Sequence, residues 1–211
     1  AMELYAMPAA TQALLDDANI DIAAWMADEV QIAFAEQEGV AFITGDGQAQ
    51  PTGLLSYPTV ADAQYTWGKL GFTQVGTGGA LAGDVTTGDA LIDLAYSLKQ
   101  GYRTNANWLM NRKTQSSVRK LKDNEDNYLW QPGLQAGQPA LLLGYPVADD
   151  DNMHDVGGNK FPIAFGDFQR GYLIVDRAGI RVLRDPYSAK PYVLFYTTKR
   201  VGGGVQNFEA I

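Results

Sequence analysis

PIAFGDFQRGYLIVDRAGIRVLRDPYSAKPYVLFYTTKRVGGGVQNFEAI, residues 162–211, carries the strongest strand-and-turn pattern in the chain. Apolar and aromatic residues mark strands in it, while Gly, Asp and Pro mark turns. The pattern predicts a strand from Pro162 that ends in a tight turn at Gly166-Asp167. A second strand follows over Gly171–Asp176, with a turn around Ala178-Gly179. A short strand at Ile180–Leu183 then passes through Arg184, Asp185 and Pro186 to a long strand at Tyr192–Val201. Side chains alternate along a strand, so Tyr192, Leu194 and Tyr196 share one face.

Outward from that stretch, helices and strands interleave without strict βαβ regularity, which predicts an α+β domain. LLLGYPV (141–147) reads as a strand, flanked by a polar loop at 149–159 and a Gln-, Gly- and Pro-rich loop at 124–140. NWLM (107–110) is a short buried strand, and Asn111 is placed to cap a basic helix over Arg112–Leu121. Ala90–Tyr102 reads as an amphipathic helix capped by Asp89, with Leu91, Leu94, Ala95 and Leu98 on its apolar face. The glycine-rich stretch 69–88 contains a strand at Phe72–Val75, and the loop 44–63 is the best boundary.

The N-terminal part is helical by the same reading. Met7–Asp17 suits a short helix. Asn19 or Asp21 can cap a longer one over about 22–43, with Ile22, Trp25, Met26, Ala33 and Val40 as its apolar face. At about 1.5 Å per residue this helix is a rod of roughly 33 Å, better suited to a scaffold than to a pocket wall. Gly39 weakens its late part. The long C-terminal strand is the only element of comparable reach, so the two are expected to pack together.

With 211 residues and 46% hydrophobic content, the chain can bury a sizeable core. No apolar run is long enough for a membrane span, and no membrane partner is expected. The absence of cysteine removes disulfides, thiolate nucleophiles and Cys-ligated metals. The net charge of −8 is unevenly spread. Residues 1–68 hold ten acids and no Lys or Arg, while the remainder holds all 16 basic residues and the other 14 of the 24 acids. Overall acidity argues against sequence-independent nucleic-acid binding by the whole surface. An acidic face on one copy can instead dock a basic face on the next, the head-to-tail contact that builds rings.

Catalytic signatures are sparse. The one histidine, His154, lies in an acidic loop, and no serine sits in a nucleophile elbow. A solvent-exposed loop histidine is expected, and its replacement should leave stability and assembly nearly unchanged. Asp149, Asp150, Asp151, Asn152 and Asp155 could gather around a hard cation, but the spacing lacks the EF-hand glycine. GTGGALAG (76–83) lacks the Lys-Ser/Thr of a phosphate-binding loop and reads as a surface loop. No cofactor, metal or catalytic residue is expected, so the chain is not read as an enzyme.

Five segments, in this order and spacing, carry a resemblance. They are TQALLDDANIDIAAWMADEV, FITGDGQAQPTGLL, NANWLMNRKTQSSVRKLKD, YLWQPGLQAGQPALLLGYPV and IAFGDFQRGYLIVDR. Together they resemble the major capsid proteins of tailed phages and prophages, with the Hong Kong 97 fold. The resemblance implies a discontinuous division: 1–52 with 184–211 as a peripheral domain built on the spine helix and long strands, and 53–183 as an axial domain. It implies a structural protein that self-assembles through pentamers and hexamers into an icosahedral head shell enclosing a phage genome. Further partners would be scaffold, portal and head protease, with packaged DNA touched only indirectly. Assembly would occur in the bacterial host cytoplasm and the product would reside in the virion head. The family's N-terminal arm and extended loop are not expected in this chain. Some members join subunits by a Lys–Asn bond, but no Asn stands near Lys190-Pro191, so that chemistry is not carried over. Two alternatives remain open: an encapsulin-like compartment shell, and an acid-rich hydrolase.

The residues singled out for subunit contact are Glu29 and Glu36 on the acidic helix, and Arg112, Lys113, Arg119 and Lys120 on the basic one. Trp130 and Pro132 join them from the loop 127–140, read as an exposed contact element near the capsomer axis.

Overall fold

The structure, a computed structural model, describes residues 2–75, 81, 85–122, 125–130 and 140–211. In chain order its elements are β1 (Met2–Ala6), β2 (Ala9–Thr11), α1 (Gln12–Asp17), α2 (Ile22–Thr44), β3 (Thr59–Ala61) and β4 (Leu70–Phe72). Then come α3 (Val85–Ser97), α4 (Gln100–Arg103), β5 (Asn107–Met110), α5 (Arg112–Arg119), β6 (Leu141–Leu142) and β7 (Tyr145–Asp149). The last are β8 (Ile163–Gly166), α6 (Phe168–Gly171), β9 (Tyr172–Ala189) and β10 (Tyr192–Val205). The chain divides into two compact units, Ala1–Ser56 with Ile174–Gly204, and Tyr57–Leu173 with Val205–Ile211.

The first unit is a helix laid on a four-stranded antiparallel sheet. β10 is its centre: β1 pairs with 197–201, β2 with 192–194, and β9 also pairs with β10. The Asp21 side chain accepts the Ala24 N–H at 3.0 Å and so starts α2, which runs through Gly39 to Thr44. The strand meets the helix as expected, but with its other face. Ala10, Met26, Val193 and Phe195 form the core, with Leu15, Ile22 and Ala23 against it, while Tyr192 and Tyr196 face outward.

The inward stripe of α2 is Met26, Val30, Phe34 and Ala41, at helical spacing. Trp25 (54% exposed), Ala33 and Val40 look outward, contrary to expectation. The reason is that α2 carries apolar residues on both sides, so periodicity alone could not select the buried one. Across the core edge, Lys199 Nζ lies 2.7 and 2.8 Å from the two Glu38 carboxylate oxygens, with both side chains largely buried.

The helix expected from Met7 begins only at Gln12. Residues 8–11 spend their backbone on β10 instead: Phe195 N–H donates to Pro8 O and Gln12 N–H to Pro191 O. Thr11 then caps α1 by accepting from Leu14 N–H. The two turns expected inside 172–189 are absent, and β9 is one strand of 18 residues. It is an edge strand, where Pro186 removes no ladder bond that the sheet requires.

The second unit holds a four-stranded sheet in the order β6-β7-β5-β8, with β7 parallel and β8 antiparallel to β5. Trp108 and Met110 of β5 are fully buried. Leu91, Ala95 and Leu98 belong to the same core, as do Val118 of α5 and Leu121 just beyond it. Trp108 donates through its indole to Leu142 O at 2.9 Å and stacks obliquely on Phe165 at 4.4 Å.

Several boundaries shift here. Helix α3 begins before Asp89, which lies inside it rather than at its cap, and it breaks at Leu98-Lys99 before α4. LLLGYPV is a hairpin, not one strand, because Leu143 and Gly144 both take positive φ (52° and 85°), the geometry of a two-residue hairpin turn. The strand expected at Phe72–Val75 ends at Phe72 and starts at Leu70, in parallel register with β3. The stretch after β10 closes this unit: Asp167 N–H donates to Ala210 O at 2.7 Å, and Asn207 donates to the Tyr102 hydroxyl at 2.8 Å. Gly166 has no Cβ because one would strike the Ala210 carbonyl and Ile211 Cα.

Candidate functional site

The acidic loop 149–155 is not a cation cradle. Asn111, buried at the start of α5, ties it down. The Asn111 Oδ1 accepts from Thr114 N–H at 2.7 Å and caps the helix. Its Nδ2 donates to Met153 O (3.0 Å), His154 O (3.1 Å) and Asp155 Oδ1 (2.8 Å). Lys113 Nζ closes on Asp155 Oδ2 at 2.9 Å and, as a charged donor, holds that carboxyl below its ordinary range. Asp150 folds back on Asn152 N–H at 2.9 Å. Among the described residues, no three His, Asp or Glu side chains gather as a metal would need.

His154 is half-buried rather than freely exposed, and its Nδ1 is enclosed without a hydrogen-bond partner. Burial, then the nearby Lys160 charge, pushes the imidazole below its ordinary 6.5. Among the described residues no hydrogen bond joins a serine hydroxyl to it, and Ser97, Ser117 and Ser188 bond elsewhere.

A cavity of about 240 Å³ lies in the second unit, lined by Tyr65, Phe72, Leu98, Lys99, Phe165 and Glu209. Its charged pair is already spent: Lys99 Nζ sits 2.6 Å from Glu209 Oε1, a contact that raises the lysine's pKa. The Tyr65 hydroxyl is buried there without a partner, and burial, then Glu209, raises its pKa. That acid and base neutralise each other beside a phenol above its ordinary range, and Asp62 is a further carboxylate of the lining.

The surfaces carry more information than the clefts. Glu29 and Glu36 are exposed on the outward stripe of α2, between Trp25, Ile32 and Val40. The basic helix α5 also exposes Arg112, Lys113, Arg119 and Lys120, but three of these four have partners in their own chain. Arg112 Nε is 3.9 Å from Asp149, Lys113 holds Asp155, and the Arg119 guanidinium lies 5.0 Å from the centre of the Trp130 ring.

Trp130 itself is buried, and its indole donates to Leu141 O at 2.7 Å, so the exposed loop aromatic expected there is a core residue. An apolar ring with one donor is better accommodated against β6, where that donor finds a carbonyl, than in water. Pro132, the rest of the loop 131–139, and nearly all of the glycine stretch 76–83 lie outside the described residues.

Sequence reasoning did not single out the sheet of the first unit. Its face away from α2 carries Tyr5, Tyr192 and Tyr196, exposed by 72, 48 and 37%. The edge strand β9 adds exposed Val175, Leu183 and Tyr187, together with exposed Arg177 and Arg181. Among the described residues, no carboxylate pairs with either arginine. The turns expected inside 172–189 hid this surface, because they broke one long strand into pieces.

Comparison with known proteins agrees with a surface-driven role. The family model described as "Phage capsid family" matches residues 1–211. The chain is similar to the capsid subunit of an empty GTA particle, with 50% identity, 99% of this chain and 71% of that one covered, and a TM-score of 0.92. The capsid of the native GTA particle gives 50% identity over 99% and 70%, with a TM-score of 0.93. At 14% identity, Microbacterium phage Oxtober96 shares the fold, with 96% and 66% covered and a TM-score of 0.66. The SrpI encapsulin of Synechococcus elongatus does so at 13% identity, with 99% and 71% covered and a TM-score of 0.63. No curated protein sequence matches the chain.

Proposed function

Because this chain belongs to the phage capsid family, we propose that its copies assemble through rings into the closed, icosahedral head shell that encloses a phage-type genome. It is a major capsid shell protein with the Hong Kong 97 fold. One observation carries the finer reading: half of its residues are identical, over 99% of its length, to the subunit of an assembled capsid. The encapsulin likeness, at 13% identity, extends to fold alone and gives no reason to prefer an enclosed enzyme as cargo.

The role is structural rather than catalytic. The family and the capsid subunits that the chain resembles support this reading, as does the pairing of Lys99 with Glu209 in the cavity. With the bounds moved from 52/53 and 183/184 to those of the two compact units, 1–56 with 174–204 form the periphery of each pentamer or hexamer, and 57–173 with 205–211 its axis. Contacts between subunits use unlike charge, with Glu29 and Glu36 on the acidic side. Lys120 is the cation next to α5 with most freedom to join such contacts, ahead of Arg112, Lys113 and Arg119. Scaffold, portal and head protease are the further partners, assembly takes place in the host cytoplasm, and packaged DNA contributes little to holding the shell.

Electron microscopy of the full-length protein expressed alone tests this reading, with closed shells or rings as the expected result. Light scattering across a salt series adds the electrostatic part: association should weaken as salt rises, since exposed pairs are screened beyond about 10 Å at 0.1 M. Glu36→Lys and Arg119→Glu should each impair it. Particles indifferent to salt and to both reversals would remove charge from the contact.

A further inference from the structure

The outward stripe of α2 and the outer face of the β1–β10–β9 sheet are complementary surfaces on one chain. We propose that the α2 stripe of one copy docks on that sheet face of the next. This rests on the shell reading and names the contact that would build it.

The argument begins with what each surface lacks. Trp25, Glu29, Ile32, Glu36 and Val40 fall on one side of α2 at about 100° per residue. All five are exposed. The opposite side of the helix is already committed: Met26 packs with Val193 and Phe195 of its own sheet, and Val30 and Phe34 are buried. No described residue of this chain covers the outward stripe, which leaves it open to a second copy.

The sheet face offers the converse. Leu183 is 63% exposed and Tyr192 48%, and Arg177 and Arg181 have no acidic partner among the described residues. One surface is apolar and acidic, the other apolar and basic. The spacings are comparable as well. Seven residues of helix put Glu29 and Glu36 about 10 Å apart, and four residues of strand put Arg177 and Arg181 about 13 Å apart.

A contact between two different patches on identical chains is head-to-tail, and it closes into rings when the rotation allows. It also accounts for the absence of lysine and arginine from residues 1–68, since a cation on α2 would oppose the arginines of the neighbour. The β9 arginines are better placed for this than the α5 cations, three of which are engaged within their own chain.

Because the native chain contains no cysteine, single cysteines report the contact directly. Ile32→Cys and Leu183→Cys proteins are purified separately, mixed, oxidised and run without reductant. A disulfide-linked dimer is expected from the mixture, and none from either protein alone or from Tyr96→Cys mixed with Leu183→Cys. In sedimentation, Arg181→Glu and Glu29→Arg should each weaken association about fivefold to tenfold, and the double reversal should regain most of the loss. Equal cross-linking by Leu183→Cys alone, or reversals whose losses simply add, would overturn the contact. Loss of bound DNA in Arg181→Glu with association unchanged would overturn it too, by assigning the arginines to nucleic acid. A native chain that never self-associates would refute the shell reading itself, whereas native association with intact reversals and no cross-link refutes this contact alone.

Discussion

Replacing Asn111 by alanine should be among the most damaging single polar changes in the second unit. The side chain is 4% exposed and makes four hydrogen bonds, one that caps α5 and three that hold the loop 153–155. Loss of the cap costs about 1 kcal/mol. The buried Met153 carbonyl loses its donor, a further cost of about 1–3 kcal/mol, and the Asp155 bond is partly kept by Lys113. The total is about 2–4 kcal/mol. With a urea slope of about 2–3 kcal/mol per molar for a chain of this size, the midpoint should fall by about 1–2 M. The buried indoles of Trp108 and Trp130 lie in the same unit and provide the fluorescence signal. Asn111→Asp separates the parts: it keeps the acceptor for Thr114 N–H but loses every donor and faces Asp155. It should therefore remain destabilised while the helix start survives. A loss under about 0.5 kcal/mol for Asn111→Ala would refute the reasoning and reduce the loop tether to a surface contact.

Lys199→Ala should cost about 3 kcal/mol by stranding the largely buried Glu38, while Lys199→Met with Glu38→Leu should recover most of it in chemical denaturation. At Gly53, a Cβ would stand 2.5 Å from Gly45 N and 2.6 Å from the Ile43 carbonyl carbon, so Gly53→Ala should lower stability by about 3 kcal/mol, measured by thermal unfolding. Burial holds His154 below 6.5 in the folded chain, so the unfolded chain takes up the proton first as pH falls. The stability this group contributes is complete above 6.5 and declines as pH drops from there toward its folded value. Urea midpoints at pH 8 and pH 5 should therefore diverge less in His154→Gln than in the native chain; equal divergence would remove the histidine from the acid response.

The elements with strong local signals were legible in the sequence. Asp21 and Asn111 cap helices where their side chains reach the third N–H, and NWLM is a buried strand. Leu91, Ala95 and Leu98 are core because they repeat at helical spacing on an otherwise polar helix. Orientation was legible only where one face was polar. On α2 both faces are apolar, and on β10 aromatic Tyr192 and Tyr196 look as burial-prone as Val193 and Phe195. Only the partner element decides between such faces.

The length of β9 was hidden by Gly179 and Pro186, which signal turns locally but are tolerated at a sheet edge. Of the contact residues, Glu29, Glu36 and the α5 cations are exposed as their charge implied. Trp130 was misread because a lone tryptophan among Gly and Pro gives no local clue to the Leu141 carbonyl that receives its N–H.

The pairing of β1 with β10 has a consequence for synthesis. Met2 is paired opposite Val201, so β1 leaves the ribosome about 200 residues ahead of the strand it pairs with. At about 5–20 residues per second, that lead is roughly 10–40 s. During it α2 has neither its sheet beneath it nor a neighbour above it, and its whole apolar circumference is open to water and to chaperones. The same delay is protective. The sheet face that would receive another copy does not exist until β10 has emerged, so a nascent chain cannot offer that surface to its neighbours on the polysome. Translation itself thus sets the earliest moment at which association through this face can begin.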